Sequence, residues 1–160
     1  MERLWSPWRS QYVTGAGGDT ECIFCDQLES GHDDSAVLYR GRTAFVLLNA
    51  FPYNSGHVMV APIRHVGATK DLEDEESHEL MDVTLASVGV LEAALSPHGF
   101  NVGMNLGRIA GAGVPGHLHM HVVPRWGGDT NFMPVVGETK VLPEMLADTR
   151  AKLAPGFAKL

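Results

Sequence analysis

The chain has 160 residues, of which 44% are hydrophobic and 19% charged, a composition typical of one globular core. No apolar stretch approaches the roughly 20 residues of a membrane-spanning helix, and residues 1–9 do not resemble a signal peptide, so we expect a soluble, cytoplasmic protein without membrane contact. The formal net charge of −7 repels polyanions and argues against general binding to nucleic acid, although a locally positive site can still accept a small phosphorylated ligand.

The sequence predicts a single domain over residues 1–160 with an extension at each end. Residues 1–36 show no sustained hydrophobic period and contain a glycine-rich stretch, which is typical of an arm that docks onto a core. We therefore expect truncation to be tolerated better there than elsewhere, apart from Cys22 and Cys25. Residues 125–160 are expected to form a C-terminal extension.

Three β-rich runs follow the arm. Val37–Arg40 and residues 43–48 are separated by Gly41 and Arg42, which predicts a β-hairpin. Residues 57–61 predict a third strand, which ends at Pro62.

The helical pattern is strongest over Asp74–Leu95. The acidic run at residues 73–76 suits the positive N-terminal end of a helix, and Pro97 with Gly99 ends it. Apolar residues recur at close to the spacing of one helical face. They are Leu80, Met81, Val83, Val88, Leu91 and Leu95.

Two further strands and a second helix complete the pattern. Residues 100–106 and 117–123 are β-rich, and residues 107–116 between them hold four glycines and a proline, which neither regular structure accommodates cheaply. Residues 143–153 predict a C-terminal helix with Pro143 in its first turn. Strands arranged around one long helix indicate an α+β fold, in which an antiparallel sheet of about five strands carries the long helix and the C-terminal helix.

Three histidines alternate with apolar residues at positions 117–121. Side chains alternate across a strand, so His117, His119 and His121 are predicted on one face, roughly 6.5 to 7 Å apart, with the apolar residues facing the long helix. We call these three residues the histidine row. An imidazole that titrates near neutrality suits a nucleophile, a proton shuttle or a phosphate ligand. An exposed polar strand or three hydrogen-bonded core histidines are the structural alternatives.

The glycine-rich loop before the row favours the chemical interpretation. Gly111, Gly113 and Gly116 allow backbone N–H groups to approach an anion without intervening side chains. A glycine cluster alone is weak evidence, but this one leads directly into the histidines. The combination predicts an anion site.

The only two cysteines, Cys22 and Cys25, are too few for a disulfide scaffold. Their two-residue gap lets two thiolates share one tetrahedral metal ion. A redox dithiol and a pair of structural thiols are the alternatives.

The motif HLHMHVV at residues 117–123 resembles the signature of the histidine-triad (HIT) superfamily, in which histidines alternate with apolar residues. Asn49, followed by Gly56, His57 and an apolar strand, is similar to the nucleotide-binding half of the same fold. The resemblance covers roughly residues 22–125. The flanking motifs LWSPWR and WGGDTNFMPV resemble a bacterial branch linked to diadenosine tetraphosphate.

This resemblance implies a mechanism. His119 would attack an α-phosphorus and form a covalent nucleotidyl-histidine, while His121 and His57 would hydrogen-bond phosphate oxygens. Asn105 and the loop N–H groups would stabilise developing charge, and Asn49 would bind ribose. A strand-end cap and a turn residue are the alternatives for the two asparagines. The enzyme would be a phosphorylase or a hydrolase, depending on whether phosphate or water accepts the nucleotidyl group.

The resemblance also implies a structural zinc site. Some relatives complete the cysteine pair with two histidines, and the matching residues here are His65 and His117. Four protein ligands leave no open position, so we expect no catalytic metal.

Two alternative functions stay open, one enzymatic and one without catalysis. An adenosine phosphoramidase would use the same nucleophile, and a zinc-stabilised nucleotide-binding module would have no turnover. Many relatives carry Gln or Ser where this chain has Gly113, so acceptor preferences need not transfer. Homodimers that join two sheets are usual in the family.

Overall fold

A computed structural model of the protein describes residues 22–29, 36–130 and 144–160. Eight elements follow one another along these residues. They are α1 (Ile23–Glu29), β1 (Val37–Arg40), β2 (Ala44–Leu48), β3 (Val58–Pro62), α2 (Asp74–Leu95), β4 (Gly99–Met104), β5 (Met120–Arg125) and α3 (Leu146–Phe157), with 3₁₀ turns at Thr69–Asp71 and Arg108–Ala110.

The strands form one sheet in the order β1-β2-β3-β5-β4, and all neighbouring strands are antiparallel. The predicted hairpin is present, because β1 pairs with β2 across a short turn at residues 41–43. The α+β class and the five strands are therefore confirmed. Among the described residues, no helix has both the length and the apolar character to cross a membrane.

Each face of the sheet carries its own hydrophobic cluster. On one face α2 packs on β2, β3 and β5, and α3 packs on α2 and β1. Met120 and Val122 join that cluster, so the apolar residues that alternate with the row do face the long helix. The other face carries Phe24, Phe45, Leu47, Met59 and Ala61. Met59 pairs with His121 in the ladder between β3 and β5, which places that end of the row on the second face.

Helix α2 has the predicted bounds. Glu73 and Glu76 form a capping box at its start, and Ser96 ends it in the left-handed conformation before Pro97. The predicted inward position of Met81 is wrong, because that side chain is 50% exposed. The buried face instead runs through Leu80, Val83, Thr84, Ser87 and Leu91. Thr84 and Ser87 tolerate burial because their hydroxyls donate to carbonyls one turn earlier.

Several element boundaries differ from the predictions. Strand β5 begins at Met120, so the first two histidines of the row precede it, although Leu118 N–H still donates to the Val66 carbonyl. Helix α3 continues through Pro155 to Phe157, because Leu153 and Phe157 are buried and Pro155 removes only one N–H near the helix end. Helix α1 was not predicted. Residues 1–21 and 30–35 of the predicted arm, and Pro143, lie outside the described part of the chain.

Candidate active site and metal centre

The histidine row is buried, with exposed fractions of 0% for His117, 4% for His119 and 9% for His121. Burial forces each ring to find hydrogen-bond partners inside the protein. Because a neutral imidazole donates from one nitrogen and accepts at the other, the partner of one nitrogen fixes the role of its neighbour.

His117 and His119 both donate to backbone carbonyls. Nε2 of His117 lies 2.8 Å from the carbonyl oxygen of Pro62, and Nδ1 of His119 lies 2.8 Å from the carbonyl oxygen of His117. A carbonyl only accepts, so these nitrogens carry the protons and the other nitrogen of each neutral ring holds a lone pair. Burial lowers the pKa of both rings and favours the neutral form. We call them the lone-pair histidines.

His57 and His121 form a chain with the opposite polarity. The backbone N–H of Tyr53 donates to Nδ1 of His57 over 3.0 Å, so Nε2 of neutral His57 carries the proton. That Nε2 lies 2.9 Å from Nδ1 of His121, which must accept and leave a proton on Nε2 of His121. We call this pair the N–H relay. The Tyr53 ring lies over both imidazoles, with centroid distances of 4.7 and 5.4 Å.

The loop between β2 and β3 positions the relay. Asn49 is buried; its Oδ1 accepts from the Phe51 N–H at 2.9 Å and its Nδ2 lies 3.3 Å from Nδ1 of His57. Gly56 has a φ of +77°, and a Cβ there would lie 2.4 Å from Cδ1 of Leu95. Only glycine combines this backbone conformation with the close approach of α2.

Asn105 lies at the other end of the relay. Its Nδ2 donates to the carbonyl of Gly111 at 3.5 Å and lies 3.5 Å from Nε2 of His121. Two N–H donors therefore lie side by side, beside the glycine-rich loop. Gly116, in contrast, lies next to His65, whose Nε2 is 3.6 Å from the place of a Gly116 Cβ.

Cys22, Cys25, His65 and His117 come together from three segments, and their ligand atoms all lie within 4.8 Å of one another. Sγ of Cys22 is 3.2 Å from Nδ1 of His117, the nitrogen with the lone pair, and Sγ of Cys25 is 3.4 Å from Nδ1 of His65. Burial raises the pKa of the Cys25 thiol to about 11, which a bound cation would reverse. Two thiolates and two imidazoles are the ligand set that tetrahedral zinc prefers.

Phe24 connects this cluster to the row. It lies between the two cysteines in α1, is fully buried, and its ring centroid is 5.0 Å from that of His117 and 4.8 Å from that of His119. Neither Phe24 nor Tyr53 was predicted as a site residue. The position of Phe24, an apolar residue inside the Cys-x-x-Cys motif, could have indicated its role. Tyr53 acts through its backbone N–H, which no pattern of residue types indicates.

A comparison with known families matches the HIT domain model to residues 30–128. The AP-4-A phosphorylase of Mycobacterium tuberculosis is 42% identical over 99% of this chain and 86% of its own length. The asymmetrical bis(5'-nucleosyl)-tetraphosphatase of Schizosaccharomyces pombe is 36% identical over 57% of this chain and 50% of its own. A Zn-bound histidine triad family protein of Mycobacterium smegmatis shares the fold, with a TM-score of 0.70, 24% identity and coverage of 89% and 96% of the two chains.

Proposed function

The chain belongs to the HIT family, and from that premise we propose that it cleaves dinucleoside polyphosphates, diadenosine tetraphosphate first among them, through a covalent nucleotidyl-His119 intermediate. The hydrogen bond from Nδ1 of His119 to the His117 carbonyl carries this proposal, because it leaves the attacking lone pair on Nε2. The names of the phosphorylase and tetraphosphatase relatives support the substrate class.

In the first step Nε2 of His119 attacks the α-phosphorus. A P–N bond forms and the P–O bond to the leaving nucleotide breaks. The departing phosphate oxygen takes the electron pair of the broken bond and leaves as an anion, to which the Nε2–H of His121 donates a hydrogen bond, while Nδ1 of His121 stays hydrogen-bonded to His57. Asn105 and the N–H of Gly113 in the glycine-rich loop stabilise charge on the non-bridging oxygens, whereas the Gly111 N–H already donates to the Arg108 carbonyl at 3.0 Å.

In the second step an acceptor reverses the bond changes. Phosphate or water attacks the phosphorus, the P–N bond breaks, and the electron pair returns to Nε2 of His119. When water is the acceptor, the proton that it loses passes to the solvent. Transfer of AMP to phosphate gives ADP, and transfer to water gives AMP.

The same proposal includes a structural zinc held by Cys22, Cys25, His65 and His117. Four protein ligands complete the tetrahedron, so the ion would fix α1 against the row and would contribute no bound water to the reaction.

The proposal also includes assembly as a homodimer. Strand β4 lies at one edge of the sheet, and its Val102 is 45% exposed. An unpaired edge strand is a template for a second copy, which would join two sheets into one. Size-exclusion chromatography coupled to light scattering should give twice the chain mass, and a monomer at micromolar concentration would contradict this part.

The decisive experiment incubates the protein with α-³²P-labelled diadenosine tetraphosphate, with and without phosphate, and quenches within one turnover. We expect a labelled protein that is stable in base and labile in acid, as a phosphoramidate is. ATP plus ADP that requires phosphate identifies a phosphorylase, and ATP plus AMP without phosphate identifies a hydrolase; both support the proposal. Turnover without labelled protein would overturn the covalent step. No product at all would overturn the enzyme assignment and favour a binding module.

A further inference from the structure

The N–H relay depends on two donors to one nitrogen, of which a backbone amide is the closer. Tyr53 N–H donates to Nδ1 of His57 at 3.0 Å and Asn49 Nδ2 lies 3.3 Å from the same nitrogen, and these contacts decide which nitrogen of His57 and then of His121 carries a proton. Tyr53 belongs to the connection between β2 and β3, whose Phe51 is 68% exposed. Exposed connections of this kind usually fluctuate, so something must hold Tyr53 against His57.

Asn54, the next residue, supplies the attachment. It is 9% exposed, and its Nδ2 donates to the carbonyl of Pro124 at 3.1 Å and to Oδ2 of Asp129 at 2.8 Å. Both hydrogens of the amide are therefore used. Its backbone carbonyl accepts from the N–H of His57 at 3.1 Å. One residue thus ties the connection to the end of β5 and to His57 itself.

Asp129 is in turn held rigidly. Its carboxylate accepts from Nε and Nη2 of Arg125 at 2.6 and 2.9 Å, a two-point contact, and from the Trp126 N–H at 3.2 Å. The hydrogen bond from Arg125 lowers the pKa of Asp129 to about 2, so the group is an anion at neutral pH. The Asp129 side chain is 9% exposed.

We propose that Asp129 is a positioning residue that acts through Asn54 to hold Tyr53 N–H on His57, and thereby keeps the proton of His121 on Nε2. The inference rests on the proposed function, since it explains how His121 keeps an N–H available for a hydrogen bond to the leaving oxygen. The hydrogen bonds that the structure gives the Asp129 side chain go to Asn54, Arg125 and Trp126 and not to the row. It also gives a role to the aspartate of the WGGD motif, which the proposed chemistry leaves unused.

The test compares Asp129→Ala and Asn54→Ala with Asn101→Ala. Asn101 is the matched control, because its Oδ1 accepts from Nη1 of the same Arg125 at 2.7 Å but it has no contact with Asn54 in the structure. We expect kcat to fall about tenfold in the two test variants, with KM changed less than about twofold, and both constants to stay within about twofold in the control.

The second readout is independent of activity. In ¹⁵N NMR spectra of the imidazoles at about pH 8, above the ordinary pKa of histidine, the parent protein should show His57 and His121 protonated at Nε2. The two test variants should show a mixture of tautomers, and the control should not. Asp129→Asn keeps an oxygen that can accept from Asn54, so this milder variant should shift the tautomers least.

Two results would overturn the inference. One is an unchanged tautomer pattern in the test variants, whatever their rates; the other is an altered pattern in Asn101→Ala of the same size. If one alanine variant does not fold, the other must show the tautomer shift, and if neither folds, Asp129→Asn must show a smaller but detectable shift, or the inference fails. A parent protein without turnover would refute the proposed function alone, because the NMR comparison reports on the positioning independently.

Discussion

His117 and His119 lie at one end of the row and donate to backbone carbonyls, whereas His121 at the other end accepts from His57, which itself accepts from a backbone N–H. The side chains are chemically identical. A carbonyl partner leaves a lone pair for a metal or a phosphorus atom, and an amide partner leaves an N–H for an oxygen. Contacts to backbone groups therefore decide which nitrogen of these imidazoles carries the proton.

Removal of the attacking lone pair should have the largest effect on activity. His119→Ala is expected to lower turnover by at least about 10³-fold, while the dissociation constant for a non-hydrolysable nucleotide changes less than about threefold. Single-turnover rates and calorimetric titration measure the two quantities. His78→Ala, which changes an exposed histidine in α2, is the control. If His119→Ala retained near-normal rates, His119 could not be the nucleophile.

Loss of a metal ligand should distinguish the role of His117, a zinc ligand, from that of His119. The parent protein should contain about one zinc per chain, and Cys25→Ala should contain almost none. The free energy of unfolding of Cys25→Ala should be about 3 kcal/mol lower than that of the parent protein, because a metal that binds only the folded state stabilises it. Elemental analysis and thermal unfolding test this. If the parent protein, purified without chelator, contained no zinc, the proposed zinc site would be refuted.

Changes in the N–H relay should lower the rate and spare the metal. His121→Ala is expected to lower kcat by about 10²-fold, because it removes the N–H that stabilises charge on the leaving oxygen, and His57→Ala should lower kcat less, because His57 acts through His121. Zinc content should stay at the parent level in both. Kinetics and elemental analysis of the same preparations provide the measurement. A larger loss for His57 than for His121 would reverse the order of the relay.

The smallest expected effect is a pH-dependent contribution of Asp129 to stability. Its pKa falls from an ordinary 3.8 to about 2 in the folded protein, mainly through Arg125. A lowered acid pKa stabilises the folded state above about pH 4, and the stabilisation is lost as the pH falls toward 2. Because Arg125 is 43% exposed, we expect only about 1 kcal/mol between parent and Asp129→Asn at pH 7. Urea unfolding at several pH values should show this difference shrink toward pH 2; a constant difference would contradict it.

Elements that are marked by patterns over a few neighbouring residues could be located from the amino-acid sequence alone. The 3.6-residue period, the acidic start and Pro97 located α2 at Asp74–Leu95, and the two-residue period placed apolar Met120 and Val122 toward that helix. Such patterns depend on backbone geometry over a few residues, which any stretch of sequence displays. The spacing of Cys22 and Cys25 likewise indicated a metal pair, and the family resemblance named His65 and His117 as their partners, which the structure brings together.

Only the tertiary structure decided what each imidazole can do. His57 and His121 are 64 residues apart in sequence, and Cys22 and His117 are 95 apart, so no local period reports their contacts. The position of the proton on these rings depends largely on backbone groups such as the Pro62 carbonyl and the Tyr53 N–H. Every residue type provides a backbone carbonyl, and every type except proline provides an N–H. Because side-chain identity carries no record of these partners, the division between lone pair and N–H arises only when the chain has folded.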